Sequence, residues 1–349
     1  MADIVAPDIV KRLSGIIDNS GVVTVVTHTR PDGDAVGSSV AMACFLKECR
    51  GKDATVVFVN DYSETLDFII NDEDRILIHS TRAEESERRI AESDLIICLD
   101  FNEFSRTDAL RGALESSAAD KVLIDHHLNP DTSCFKVCIS ETGISSASEL
   151  LYWTLMLMPD ISGDTSRIPM HALSAMMAGM TTDTNNFANS VFPSTLRMAS
   201  QMLSAGVDRD SIVADLYNRY RENRLRMMGY MLKDKMVTMK EGAAYIVLFS
   251  DELAAYDIKE GDLEGLVNLP LAIGTVRMSI LLKEDNGYFR VSVRSKKGTS
   301  ANSFAVRYCN GGGHENASGG RLFIPGDIMD SSDAPAYIED KIKEYFGQE

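Results

Sequence analysis

The chain has 349 residues, 44% hydrophobic and 25% charged, which is enough apolar material for about two domain cores. Its net charge of −17 repels long nucleic acids and argues against duplex DNA as a partner, while leaving short oligonucleotides or nucleotides in a cleft open. No run of about 18 apolar residues is present, so no membrane partner is expected.

The N-terminus lacks the basic region and apolar core of a secretory signal, which predicts a cytoplasmic protein. Cys44, Cys49, Cys98, Cys134, Cys138 and Cys309 include no CxxC pair, and reduced thiols are expected rather than a disulfide framework.

The first 140 residues alternate β-branched runs with helical patterns. Val22–Thr27, Ala54–Asn60, Arg75–His79, Asp94–Leu99 and Lys121–Ile124 are mostly Val, Ile or Leu, as strands covered on both faces are. Between them, Ser38–Arg50 (closed by Gly51), Thr81–Ser93 and Thr107–Ser117 read as helices. This rhythm predicts an α/β fold with a doubly wound, mainly parallel sheet, in which ligands bind beyond the carboxyl ends of the strands.

From Ser145 the pattern turns helical. Ser146 with Glu149 three residues later reads as a capping box. Ser194–Ala205 stops at Gly206, and Asp208 opens a helix towards Tyr220. The dense methionines of this region read as adaptable core packing. Strands return at Ala244–Phe249, Thr275–Lys283 and Tyr288–Arg294, and a helix around Ala301–Cys309 runs into Asn310-Gly-Gly-Gly-His. The expected division is a sheet domain over 1–190, a helical connector over 191–235 and a smaller α+β domain over 236–349.

Chemistry concentrates at strand ends. His28-Thr-Arg-Pro31-Asp32-Gly33-Asp34 follows the first strand, and Pro31 and Gly33 disfavour helix, so His28, Asp32 and Asp34 are expected on a loop. A second apolar strand ends at Asp100 and a third at Asp125-His126-His127, while an apolar helix ends near Asp183. Carboxylates gathered in one cleft repel unless divalent cations compensate. Carboxylates and imidazoles without thiolates suit Mn²⁺, with Mg²⁺ or Co²⁺ as alternatives. The donors exceed one ion's needs, and two metals about 3.5–4 Å apart would lower the pKa of a bridging water and clamp a phosphate.

These residues, His28-x-x-Pro-Asp32-x-Asp34-x-x-Gly37-Ser38, Asp100, Asp125-His126-His127 and Asp183, resemble the DHH phosphoesterase superfamily. Gly311-Gly312-Gly313-His314-x-x-Ala317 resembles the motif of the DHH-associated C-terminal domain. Length and layout are similar to the branch of oligoribonucleases (nanoRNases) and pAp phosphatases. The resemblance implies that His28 and Asp32 hold one Mn²⁺ and share Asp100 with a second, whose shell Asp34, His126 and Asp183 complete. Asp125 would orient His126 or a metal water, and His127 would contact the scissile phosphate and protonate the leaving oxygen. Gly311–Gly313 would let backbone N–H groups approach an anion, and His314 would bond a terminal phosphate. Arg294 is a candidate phosphate clamp.

The expected activity is Mn²⁺-dependent hydrolysis of short oligoribonucleotides or 3′-phosphoadenosine 5′-phosphate through a metal-bridging hydroxide. Alternatives are a cyclic or linear dinucleotide phosphodiesterase, an exopolyphosphatase, or a non-catalytic nucleotide-binding regulator. The resemblance also implies a homodimer. Asn185-Asn186 after Asp183, where relatives carry glycine and a basic residue, and Ala317-Ser318-Gly319 depart from the family pattern and leave substrate preference open.

Overall fold

The computed structural model describes residues 4–259 and 261–347. It divides into one unit ending at Arg219 and a second beginning at Tyr220. The first unit runs α1 (Pro7–Asp18), β1 (Val22–Val26), α2 (Gly33–Arg50), β2 (Asp53–Phe58), β3 (Ile76–Ile78), α3 (Ala83–Ala91), β4 (Leu95–Leu99), α4 (Arg111–Ser116), β5 (Asp120–Asp125) and β6 (Val137–Ser140). The helices α5 (Ala147–Met156), α6 (Met170–Asp183), α7 (Pro193–Ser204) and α8 (Arg209–Tyr217) follow.

The six strands form one sheet in the order β3-β2-β1-β4-β5-β6, with every pair parallel. Both faces are covered, which is why the strands read as unbroken apolar runs. Alternate residues feed separate cores. Val23, Val25, Ile97, Leu99 and Ile124 pack with the residues of α2, α5 and α6, while Val26, Ile96, Cys98 and Leu123 pack with Phe101, Phe104 and Leu110. Because β1 pairs with both β2 and β4, the sheet reverses its winding there, and a doubly wound sheet opens its ligand crevice at such a switch point.

Helix α2 is buried from Gly33 to Leu46 and lies against α6. The close approach requires glycine: a Cβ on Gly37 would fall 2.4 Å from the Ala175 carbonyl, and one on Gly179 would fall 2.2 Å from Ser148 Oγ. The first turn of α2 is thereby held beside the last turn of α6, whose Thr182 atoms come within 2.5 Å of a Cβ placed on Gly33.

The expected connector over 191–235 is divided rather than continuous. Met198 and Met202 of α7 and Ile212 and Leu216 of α8 belong to the core of the first unit, because each helix has an apolar stripe to bury. Helix α9 (Glu222–Tyr230) belongs to the second unit, where Met227 and Met231 pack on Ile246 and Leu281.

The second unit continues with β7 (Val237–Thr238), β8 (Ala243–Leu248), α10 (Ser250–Ala255), β9 (Met278–Asp285), β10 (Tyr288–Ser295), α11 (Ala301–Tyr308), β11 (Gly312–Gly313), β12 (Ala317–Phe323) and α12 (Ala334–Phe346). Its sheet order is β11-β12-β10-β9-β8-β7, antiparallel except between β8 and β9. Asn286 and Gly287 close the β9–β10 hairpin, with Gly287 at φ 78°. On one face Phe304, Ile338 and Ile342 cover Phe289, Val291 and Val293.

All six cysteines are unpaired thiols. Among the described residues no helix is long and apolar enough to cross a membrane.

Candidate metal centre

The carboxyl ends of β1, β4 and β5 and the C-terminus of α6 deliver the polar side chains singled out in the sequence. His28 lies two residues beyond β1 and is 7% exposed. Asp32 caps α2, its Oδ1 accepting the N–H groups of Asp34 and Ala35, each at 3.1 Å. The cap starts the helix at Gly33, ahead of the expected Ser38. Asp34 therefore sits in a helical turn and not on a loop, and it is 1% exposed. Ser38 points inward and donates to the Asp34 carbonyl at 2.7 Å.

Asp100, directly after β4, holds a left-handed backbone at φ 62°. Asp183 ends α6, and Asn185, Asn186 and Phe187 then take φ values of 47°, 57° and 65°. Left-handed non-glycine residues carry strain and cluster at functional sites.

The structure brings the six expected metal ligands together around Asp100. His28 Nε2 is 3.4 Å from Asp100 Oδ2 and 3.9 Å from Asp32 Oδ2. His126 Nε2 is 3.4 Å from Asp100 Oδ1 and 3.6 Å from Asp183 Oδ2. Donor atoms of His28, Asp32 and Asp100 all lie within 4.8 Å of one another, as do those of Asp34, His126 and Asp183. Asp100 thus has one oxygen towards each histidine, the arrangement expected of a carboxylate shared by two ions. Asp32 and Asp183 are the open side, with side chains 45% and 30% exposed.

Asp125 meets His127. It is fully buried, and its Oδ1 lies 2.7 Å from Nδ1 of His127 while its Oδ2 accepts the His127 N–H at 3.1 Å. It therefore orients His127, because the chain turns back on the carboxylate within two residues. Since an ionised carboxylate only accepts, Nδ1 of His127 carries a proton towards Asp125.

Protonation preferences reveal how much negative charge is gathered here. Burial and the Asp100 charge push Asp34 up to about 7, and burial and Asp34 push Asp183 well above the usual range. Burial opposes a charge on His126, but the hydrogen bond to Asp100 and the Asp183 charge outweigh it and raise this imidazole to about 10. His28 is raised in the same way: burial is overcome by its hydrogen bond to Asp100 and by Asp32. Burial would raise Asp100, yet hydrogen bonds from His126 and His28 hold it well below the usual range. The two imidazoles collect protons to offset the carboxylates, a demand that a divalent cation meets directly.

The donor set fits such ions. His28 Nδ1 donates to the Thr29 carbonyl at 2.9 Å, so Nε2, between Asp32 and Asp100, is the nitrogen left to bind a metal ion once the proton it shares with Asp100 is displaced. Oxygen and imidazole donors without thiolate suit hard or borderline divalent metals.

Several supporting residues were not singled out in the sequence. Ala147 N and Ser148 N, in the first turn of α5, donate to Asp34 at 2.6 and 2.9 Å. Glu149 does not complete a capping box: Ser146 Oγ accepts the Glu149 N–H at 3.0 Å, but the carboxylate turns to other donors. It is fully buried and accepts from Ser145 N (3.1 Å), Ser145 Oγ (2.5 Å), Trp153 Nε1 (3.1 Å) and Thr195 Oγ1 (2.7 Å). No local pattern signals Thr195, which is 46 residues away.

In the second unit, Arg294 is half-buried on β10, and its Nη1 donates to the Val293 and Ser318 carbonyls at 3.0 and 3.3 Å. The glycines serve packing as much as exposure. A Cβ on Gly311 would fall 1.9 Å from the Gly319 carbonyl, and Gly312 and Gly313 pair with β12. Gly311 N donates to Ala305 and His314 N to Ala317, so these two N–H groups are committed within the fold, and that of Gly311 does not face an anion as expected from sequence. His314 is half-buried at the end of this ribbon.

Residues 22–180 match the DHH family, N-terminal domain, and residues 242–331 match the DHHA1 domain. The chain is 27% identical to the bifunctional oligoribonuclease and PAP phosphatase NrnA of Bacillus subtilis, over 85% of this chain and 88% of that protein. It is 28% identical to the protein of the same name from Thermus thermophilus, over 86% and 84% respectively. A solved structure, an exopolyphosphatase-related protein from Bacteroides fragilis, superposes with a TM-score of 0.91 at 34% identity, covering 100% of this chain and 99% of that one. With both domains matched and its acids and histidines gathered at the sheet's switch point, the chain belongs to the DHH family and is a phosphoesterase with an N-terminal DHH domain and a C-terminal DHHA1 domain.

Proposed function

We propose that this chain is a cytoplasmic, Mn²⁺-dependent hydrolase that removes mononucleotides from short oligoribonucleotides and phosphate from 3′-phosphoadenosine 5′-phosphate. The observation that carries the reading is Asp100, whose two oxygens face His28 and His126 at 3.4 Å each, with Asp32, Asp34 and Asp183 around them. The two NrnA relatives, named for these substrates, support the substrate class.

In this reading His28, Asp32 and Asp100 hold one ion, and Asp100, Asp34, His126 and Asp183 hold the other. Bound divalent ions supply Lewis acidity, making a water nucleophilic near neutral pH and offsetting charge on the phosphoryl oxygens. The remaining work falls to the protein. Asp34 and Asp183 stay ionised once their charge is offset, and the N–H groups at the start of α5 keep Asp34 aimed inward. Asp125 holds the proton on Nδ1 of His127, which fixes the ring so that Nε2 is aimed to deliver a proton to the leaving oxygen. In the second unit, Arg294 and His314 contact a terminal phosphate, with Gly311–Gly313 keeping that ribbon thin. A surface of net charge −17 disfavours long polymers.

The test is a panel of two- to five-residue RNA, short DNA, 3′-phosphoadenosine 5′-phosphate, linear dinucleotides and polyphosphate, each with and without Mn²⁺. Release of mononucleotides and of phosphate from the first and third substrates, only with metal, is expected. Hydrolysis of polyphosphate alone would favour an exopolyphosphatase, the activity to which the similar Bacteroides fragilis protein owes its name. Tight nucleotide binding without turnover would favour a regulator.

A further inference from the structure

We propose that Arg106 is a further catalytic residue, gripping a phosphate oxygen of the substrate at the rim of the metal centre; this rests on the phosphoester hydrolysis proposed above. Arg106 lies in the 3-10 segment Phe104–Leu110, which follows β4 and Asp100. Its backbone carbonyl accepts the Thr29 N–H at 2.8 Å, which fixes it beside the residue that follows His28.

The support beneath Arg106 is rigid. Phe104 and Thr107 on either side are 7% and 0% exposed, and Thr107 Oγ1 donates to the Phe104 carbonyl at 2.7 Å. Asp108 takes φ 44° and ψ −110°, a conformation that persists only where the surroundings impose it. Yet the Arg106 side chain, on this over-determined segment, makes no hydrogen bond or ion pair with any described residue. Elsewhere in the unit, guanidinium groups such as those of Arg50, Arg75 and Arg89 are engaged by carboxylates. A half-buried arginine without a partner among the described residues, on a segment bonded to the residue after His28, is poised for an anion that arrives with the substrate. Its planar fork matches two phosphate oxygens.

The experiment compares the full-length wild type with Arg106→Gln and Arg106→Lys. It measures kcat and KM on a labelled three-residue RNA with Mn²⁺, calorimetric binding of 3′-phosphoadenosine 5′-phosphate, Mn²⁺ affinity and the melting temperature. Arg106→Gln is expected to lower kcat/KM about 100-fold and weaken nucleotide binding at least about tenfold, with Mn²⁺ affinity and melting unchanged. Arg106→Lys, which keeps the charge and loses the fork, should recover part of the loss. A wild type that cleaves RNA alongside an equally active Arg106→Gln would overturn this proposal alone, as would a loss matched by weakened Mn²⁺ binding or lowered melting. A wild type that neither cleaves nor binds the nucleotides would overturn the proposed function as well.

Discussion

Asp34 accepts a 2.6 Å hydrogen bond from the backbone N–H of Ala147, a residue 113 positions further along the chain. With Ser148 N at 2.9 Å, the first turn of α5 holds both oxygens of the most deeply buried of the proposed ligand carboxylates. That turn is itself held by Glu149, whose Oε2 takes three donors from Ser145 and Thr195 while Oε1 takes Trp153. Glu149→Gln keeps the size but sets an NH₂ group against the Trp153 N–H or the Ser145 and Thr195 donors. A loss of about 1–3 kcal/mol in stability is expected. The variant should also weaken the ion bound by Asp34 by roughly 10–100-fold while sparing the one bound by His28. Calorimetric Mn²⁺ titration reads this, and two unaltered affinities would show that Glu149 serves folding only.

The charge gathered at the centre gives the metal-free protein a defined pH dependence. Asp34 rises from 3.8 to about 7, so the stability it contributes is complete below its unfolded value and disappears as pH climbs through about 7. Asp183, also raised, acts with the same sign. His126 moves from 6.5 to about 10, and its contribution fades across that interval. Melting without metal should therefore fall as pH rises from about 5 to about 9. Metal must displace these protons, so Mn²⁺ affinity should rise over the same range, with proton release visible as buffer-dependent calorimetric heats. A pH-independent affinity would contradict this.

His127, held by Asp125, should matter in proportion to how poor the leaving group is. His127→Asn is expected to slow hydrolysis of RNA by about 10²–10⁴-fold. A p-nitrophenyl ester of a nucleoside 5′-phosphate, whose leaving group needs no proton, should be hydrolysed by the variant at close to the wild-type rate. Equal losses on both substrates would assign His127 to binding or metal retention.

The crossing of α2 and α6 sets the spacing between Asp34 and Asp183. A methyl group at Gly37 would lie 2.4 Å from the backbone oxygen of Ala175, an atom without a side chain's freedom to rotate away. Gly37→Ala should cost about 1–3 kcal/mol. Thermal unfolding checks this, and an unchanged melting temperature would show that the crossing can relax.

What the sequence disclosed follows from periodicity. β1, β4 and β5 are apolar on both faces, so their ends, and the acids placed there, stand out as breaks in hydrophobic runs. β6 has four residues in a half-buried edge pattern and gives no such break. α1 carries a helical apolar spacing at Val10, Leu13 and Ile17 that is visible only once the chain before β1 is considered. In the centre, residue type revealed the ligands, but partners did not follow from spacing. Asp125 bonds His127 through a local turn, and Glu149 leaves its cap because Ser145, Trp153 and Thr195 together supply four donors where the cap would supply one. Arg106 has no sequence signature, since its placement depends on the carbonyl bond to Thr29 across two strand ends.

Metal content tests the shared-carboxylate centre most directly. Dialysed wild type should retain about two Mn²⁺ per chain, whereas Asp100→Ala, still folded by circular dichroism, should lose both the ions and the hydrolysis of short RNA. A wild type that takes up no divalent metal, or an Asp100→Ala variant with full metal content and activity, would contradict the account.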